Sequence, residues 1–268
     1  MIKPYYKEEN ITIYCGDCLE VMKELPDESI DLVLTDPPYA ISQNDKEIKR
    51  NYKHYNWKRE SNIKLDFGKW DHFKNDKDFF NFTELWFRET VRCLKDKGWI
   101  YIFFDKQKIG YFDLFFAPKL KLKSRCIFVW IKSNPTPSFR KMNWVSATEF
   151  CWVGSKGESR IKNFKLQKEM NNYFITTNKS SYGETKHPTE KPLKLLRHLI
   201  EINSNPSDTI LDPFLGSGTT ARACKDLGRK CIGIGDFFFF FMVAQLYDTE
   251  RRYSYYSGWI KRTQVLPD

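Results

Sequence analysis

The sequence predicts an α/β protein: a doubly wound, mostly parallel sheet with helices on both faces and loop insertions between them. Three observations predict it. Apolar, β-branched runs alternate with helically spaced segments along much of the chain, one such run stops against two prolines, and another enters a glycine-rich loop that opens a helix. Steps of this kind leave ligand-binding loops at the carboxyl ends of the strands.

In chain order, Ile11 to Tyr14 alternates as a short strand, Cys18 to Leu25 has helical spacing, and Ile30 to Thr35 is an apolar strand that ends at Pro37-Pro38. From Ala40 to Lys77 the periodicity fades into Lys, Asn, Asp and aromatics, among them Tyr52, His54, Tyr55 and Trp57, which reads as a basic aromatic loop. A helix over Phe79 to Leu94 is followed by Gly98 and a strand at Trp99 to Phe104, and a further strand runs from Cys126 to Ile131. Ser155 to Lys186 is polar with little periodicity and reads as an insertion outside the sheet. Pro192 to Ile202 is then a helix, Thr209 to Asp212 a strand end, Thr219 to Leu227 a helix and Lys230 to Ile234 a strand. No internal repeat is present; 268 residues fit one large α/β domain or two small ones, and the chain is read as a single domain spanning 1–268.

Lys and Arg total 44 against 34 Asp and Glu, a formal charge of +10. That favours a polyanionic partner or, more blandly, a solvated basic surface. Aromatics at 16% serve either a core or stacking on unpaired bases. Seven scattered cysteines, and no apolar stretch from Met1 to Asn10, lead us to expect a reduced, cytoplasmic protein. Cys15-Gly16-Asp17-Cys18 has half of a zinc spacing, but no second pair completes it, so no metal is expected. The longest apolar run, Phe237 to Ala244, is far shorter than the ~20 residues of a spanning helix.

Two motifs carry chemistry. In Asp36-Pro37-Pro38-Tyr39 the prolines cannot donate ladder hydrogen bonds, so the strand must stop and the backbone is held extended. The Asp36 carboxylate and the Pro37 carbonyl then become fixed acceptors at a crevice, with Tyr39 a flat ring on which a base can lie. The competing reading is a rigid turn whose Asp caps and whose Tyr packs. In Leu211-Asp212-Pro213-Phe214-Leu215-Gly216-Ser217-Gly218-Thr219-Thr220, the glycines permit positive φ and close backbone approach, and the helix start presents free N–H groups. The loop suits a nucleotide-like ligand. It lacks the Gly-Lys-Ser/Thr of a phosphate loop and the full Gly-x-Gly-x-x-Gly of nicotinamide binders, and Asp212 fits a cationic amine better than a phosphate.

Together these motifs resemble those of the permuted DNA amino-methyltransferases, in which Asp-Pro-Pro-Tyr precedes the cofactor glycine loop. The likeness extends to Cys15-Gly16-Asp17, Lys95-Asp96-Lys97-Gly98 and Lys186-His187-Pro188-Thr189-Glu190-Lys191-Pro192, in family order across most of the chain. It implies a Rossmann-like sheet that binds S-adenosylmethionine beside the target base. Carried over, Asp212, Phe214, Gly216 and Gly218 surround the methionine part of the cofactor, with Ser217 and Thr219 of the same loop. Asp17 meets the adenine ring, Cys18 stands beside it, and Thr189 and Lys191 close the site. Asp36, Pro37, Pro38 and Tyr39 hold the base. After the strand Cys231 to Ile234 the family has an acid for the ribose; here that position is Gly235, with Asp236, one residue on, as the candidate cofactor ligand in its place and five phenylalanines, Phe237 to Phe241, following. That run is either core packing or a local alteration that weakens cofactor binding.

The implied reaction is methyl transfer to an exocyclic base amine. Methylation of cytosine carbon would need a thiolate from a Pro-Cys, and none of the cysteines follows a proline. Asp rather than Ser at position 36 favours adenine N6 over cytosine N4 by family analogy. An RNA or protein amide methyltransferase, and a DNA-binding module with a decayed cofactor site, are the competing readings. The implied partner is double-stranded DNA, read through the basic loop 40–77 and a target-recognition insertion at 155–186. The same resemblance points to restriction-modification or phage/host DNA modification, a cognate restriction endonuclease as a candidate partner, and a monomer or homodimer.

Overall fold

A computed structural model describes residues 2–39, 73, 75–137, 143–177 and 190–235. The elements are β1 (Tyr6–Lys7), β2 (Ile11–Cys15), α1 (Cys18–Lys23), β3 (Ile30–Thr35), α2 (Asp76–Cys93), β4 (Leu94–Phe104), a π-helical turn (Phe112–Phe116), α3 (Ala117–Lys119), β5 (Leu122–Lys132), β6 (Thr148–Lys156), a 3-10 turn (Gln167–Glu169), β7 (Tyr173–Thr176), α4 (Leu193–Asn203), β8 (Thr209–Asp212), α5 (Thr219–Asp226) and β9 (Lys230–Gly235). The strands form one sheet in the order β1-β2-β9-β8-β3-β4-β6-β5-β7. Pairing is parallel from β2 through β9, β8 and β3 to β4, and antiparallel where β6 sits between β4 and β5.

Alternation along the central strands assigns the helices to faces. On β4, Trp99, Tyr101 and Phe103 point into a core shared with Leu195, Leu199 and Ile200 of α4 and Ala221 and Cys224 of α5. The intervening Ile100, Ile102 and Phe104 point into a second core with Val21 and Met22 of α1, Phe79, Trp86 and Phe87 of α2, and Phe112. A strand buried on both faces reads as a continuous apolar run, as Trp99–Phe104 does. The doubly wound, mostly parallel α/β sheet is therefore present.

Several elements differ from the sequence expectation. Helix α2 starts at Asp76, not Phe79, because the Asn75 side chain accepts from the Asp78 N–H at 2.9 Å and caps a charged first turn that has no apolar periodicity. Lys77 thus belongs to a helix rather than to the basic loop, whose residues 40–72 lie outside the described residues. Strand β6 was not anticipated, although Phe150–Val153 is aromatic and β-branched. The segment 155–186 is not wholly an insertion. Ser155 and Lys156 end β6, and Tyr173–Thr176 forms edge strand β7 against Val129–Lys132; its short, half-exposed alternation is too brief to register as a period. Residues 178–186 lie outside the described residues.

Candidate active site

Strand β3 lies between β8 and β4, so the loops after β3 and β8 leave the sheet side by side although they are far apart in sequence. The Thr35 hydroxyl donates to Asp212 Oδ1 at 2.8 Å across 177 residues of chain. This junction is the floor of a cavity of about 740 Å³, within the ~300–1,000 Å³ typical of ligand sites. Its wall includes Asp17 and Cys18 after β2, Asp36 to Tyr39 after β3, Phe104 to Lys106 from the end of β4 onward, and Asp212 to Ser217 and Thr219 from the end of β8 onward.

The Asp36 carboxylate has both oxygens engaged: Oδ1 accepts from the Tyr39 hydroxyl and Oδ2 from the Lys191 ammonium. Burial in the wall pushes this carboxyl up from its ordinary value, and Lys191 opposes that shift. Tyr39 packs edge-on to Phe104 with ring centroids 5.7 Å apart, and Lys108 Nζ donates to the Tyr39 carbonyl at 2.6 Å, tying down the strap.

Asp212 is 3% exposed. Besides Thr35 it accepts from the Phe214 N–H at 3.1 Å, and Thr220 also bonds it. Burial nevertheless pushes its carboxyl up to about 6. The loop beyond it turns through Gly216 (φ 51°) and Gly218 (φ 84°), left-handed conformations that disfavour a Cβ, and Gly218 stands as the N-cap of α5. Ser217 and Thr219 hydroxyls lie 2.8 Å apart, and Thr219 donates to Glu190 at 3.0 Å. Phe214 is clasped edge-on by Trp86 at 5.3 Å.

Asp17 caps α1, accepting from the Leu19 N–H at 2.7 Å. Burial, then the Asp17 charge, pushes the Cys18 thiol up to about 12, so it stays protonated at the cavity wall. The structure thus brings Asp17, Cys18, Asp36, Pro37, Pro38, Tyr39, Lys191, Asp212, Phe214, Gly216, Ser217 and Thr219 to one cavity, with Gly218 between two of them. Thr189 and Asp236 lie outside the described residues. Lys191 stands differently from the expectation: its ammonium is held between Asp36 and Glu149 Oε2, the latter at 3.3 Å.

Glu149 and Lys132 escaped sequence reasoning. Because β6 is antiparallel to β4, its first residues, Thr148 and Glu149, arrive at the carboxyl ends of the parallel strands beside Lys132 at the end of β5. Lys132 Nζ bonds Glu149 Oε1 at 2.7 Å. No local motif marks either residue. On the same rim, in the β5–β6 connection, Trp144 is 99% exposed two residues before Ser146 of the cavity wall. Lys156 to Asn163, by contrast, lies at the opposite end of the sheet. Lys156 bonds the Leu94 carbonyl, Lys162 bonds Asp208 at 2.7 Å, and the Asn163 N–H donates to Ile202 O at 3.0 Å. Among the described residues no helix is long and apolar enough to cross a membrane.

Comparison with known proteins agrees with this geometry. A family model described as DNA methylase, of the N6/N4 methyltransferases, matches residues 30–236. The Type II methyltransferase M2.MboI of Moraxella bovis is 32% identical over 246 residues, covering 87% of this chain and 86% of that protein. The Type II methyltransferase M.HinfI of Haemophilus influenzae is 32% identical over 241 residues, 83% of this chain, which spans 64% of that relative's length. The M1.HpyAVI–SAM complex superposes with a TM-score of 0.66 at 28% identity, covering 88% of this chain and all but 1% of that one (99%). PvuII DNA methyltransferase (cytosine-N4-specific) gives 0.73 at 21% identity over 97% and 94% of the two chains, a likeness of fold. With its motifs in the permuted order and both converging on one cavity, the chain belongs to the N6/N4 DNA methylase family, the S-adenosylmethionine-dependent DNA amino-methyltransferases.

Proposed function

We propose that the methylated amine is adenine N6 in double-stranded DNA, in a modification system of the restriction-modification type, and that Asp36 and the Pro37 carbonyl orient that amine while Tyr39 stacks on the base. The observation that carries this reading is the position of Asp36. A carboxylate held on a stiff Pro-Pro strap faces the cavity beside the Gly216–Gly218 loop. Asp rather than Ser at this position favours adenine.

The cavity wall fits the cofactor. Asp212 is a buried acceptor for an ammonium group, the Phe214 to Thr219 loop offers positive-φ glycines for close approach, and Asp17 and Cys18 form the far wall. S-adenosylmethionine, when bound, supplies an electrophilic sulfonium methyl. An exocyclic amine is a poor nucleophile because its lone pair is delocalised into the ring. Hydrogen bonds donated by that amine to Asp36 and the Pro37 carbonyl favour a pyramidal nitrogen with its lone pair directed at the methyl. Positioning of this kind is worth ~7–11 kcal/mol for a good near-attack geometry.

The base must leave the duplex to reach this cavity, at a cost of a few kcal/mol, of which stacking on Tyr39 returns ~1–3 kcal/mol. We assign DNA contact to the cavity rim at the β5–β6 connection, which carries the exposed Trp144, and, from their sequence alone, to the basic loop 40–72 and residues 178–186, which lie outside the described residues. The packed stretch from Lys156 to Asn163 does not share that role, because it lies on the far end of the sheet with its lysines in ion pairs. A cognate endonuclease and a monomeric or homodimeric state complete the proposal.

Plasmid DNA incubated with labelled cofactor, digested to nucleosides and mapped, tests the assignment. N6-methyladenine at a defined site supports it, and N4-methylcytosine replaces the adenine assignment.

A further inference from the structure

Both oxygens of Asp36 already accept a hydrogen bond, so an incoming amine competes with these partners for the carboxylate. Tyr39 is one and Lys191 the other. Lys191 is 8% exposed, sits 5.0 Å above the Phe103 ring, and has a second carboxylate, Glu149, at 3.3 Å. Glu149 is itself fixed by Lys132 at 2.7 Å. The four side chains therefore form a row of alternating charge along the cavity wall: Asp36, Lys191, Glu149, Lys132.

Resting on the reading of Asp36 as the acceptor of the target amine, we propose that Lys191 and Glu149 are positioning residues for that carboxylate. Lys191 favours the ionised form of Asp36 and aims it into the cavity, and Glu149 takes up the ammonium when the target amine claims the Asp36 oxygen. Lys191 then acts on the base side of the site rather than as a ligand of the cofactor. Burial would lower the ammonium's pKa, but the two carboxylates outweigh it and push it up to about 12, so Lys191 remains charged throughout the working range. Burial raises Glu149 too, yet Lys191 and Lys132 bring it below its ordinary value, so it remains an anion able to receive the ammonium. Without Lys191 the main influence opposing burial at Asp36 is lost. Its proton would then leave only at higher pH, and a protonated Asp36 has lost one acceptor.

Among the described residues, the other titratable groups facing this row are Tyr39, Cys151 of β6, Asp212 of β8, and Asp105, Lys106 and Glu190 of the cavity wall. Burial holds the Cys151 thiol well above its ordinary value, so it is silent. Asp212 titrates near 6, which is why saturating cofactor is needed.

The test is single-turnover methylation of duplex DNA by the full chain at saturating cofactor, from pH 6 to 9.5. Lys191→Gln should be at least tenfold slower than wild type at pH 7 and recover to within about threefold near pH 9. Lys191→Arg, which keeps the charge, should retain the wild-type acid limb. Glu149→Gln, which leaves the ammonium on Asp36, should be slower at every pH with no upward shift of that limb. Cofactor affinity by calorimetry should stay within about twofold for all three. Lys191→Gln that stays slow at every pH, or loses cofactor affinity, overturns the proposal, as does Glu149→Gln at the wild-type rate. Asp36→Ala in the same assay separates the two readings: if it is active, the role of Asp36 fails. If it is inactive while Lys191→Gln keeps the wild-type profile, only the positioning pair fails.

Discussion

Replacing Asp212 by Asn should make the protein more stable and its cofactor binding weaker, and the stability gain should depend on pH. In the folded chain, burial pushes the Asp212 carboxyl from its ordinary 3.8 to about 6. At 1.36 kcal/mol per pH unit, ionising it in the fold costs about 3 kcal/mol more than in the unfolded chain. The sign follows from linkage. Below pH 3.8 the group is protonated in both states and carries no penalty; the penalty grows between 3.8 and 6 and is complete above 6. Asn keeps an Oδ1 that accepts from the Thr35 hydroxyl and the Phe214 N–H. The Thr220 hydroxyl can reverse its role and accept from the new amide. Imperfect repacking reduces the gain to roughly 1–3 kcal/mol, which at ~2–4 °C per kcal/mol raises the thermal midpoint by several degrees at pH 7.5. At pH 4.5 the gain should shrink to about a third. Circular dichroism melts of both proteins at the two pH values measure it, with calorimetry for the cofactor. Loss of a charge-assisted hydrogen bond to the ammonium should weaken cofactor binding by ~1.5–3 kcal/mol, roughly ten- to hundredfold. A midpoint gain equal at both pH values would refute the desolvation argument. Unchanged affinity would remove Asp212 from the cofactor site.

Asp36→Ala should lower methyl transfer by a hundred- to a thousandfold, by analogy with the ~2.7–4 kcal/mol lost with an oxyanion-hole donor, while most cofactor affinity survives. Near-normal turnover would make Asp36 to Tyr39 only a structural turn. Trp144→Ala should weaken binding of duplex DNA and leave cofactor affinity unchanged, because the indole is fully exposed at the rim and outside the cavity wall. Equal affinity for DNA would place the contact surface elsewhere. DNA affinity should fall steeply between low and physiological salt, since a chain of formal charge +10 relies on counterion release; a flat titration would remove the case for the basic loops as a DNA surface. Wild-type cofactor affinity should decline as pH falls through about 6, where Asp212 gains its proton, and Asp212→Asn should abolish that decline.

The alternation of apolar strand and helix, the Pro37-Pro38 stop and the Gly216 to Gly218 turn are local properties, set by backbone sterics and by period. The sequence alone therefore determined the parallel strands β2, β3, β4, β8 and β9, the α/β class and both motifs, but not β6, which lies inside the sheet between β4 and β5. Strand β7 was not legible, because four half-exposed residues are too few to show a period, and the start of α2 was hidden by its charged capping turn. Tertiary structure alone decided what surrounds Asp36. Only the placement of β3 against β8 joins Thr35 to Asp212, and only the antiparallel direction of β6 turns Glu149 toward the cavity rather than away from it. The partner of Lys191 belongs to the same class of fact. Sequence order places Lys191 155 residues from Asp36, and a buried ammonium takes the carboxylates that packing brings within reach, which no pattern along the chain encodes.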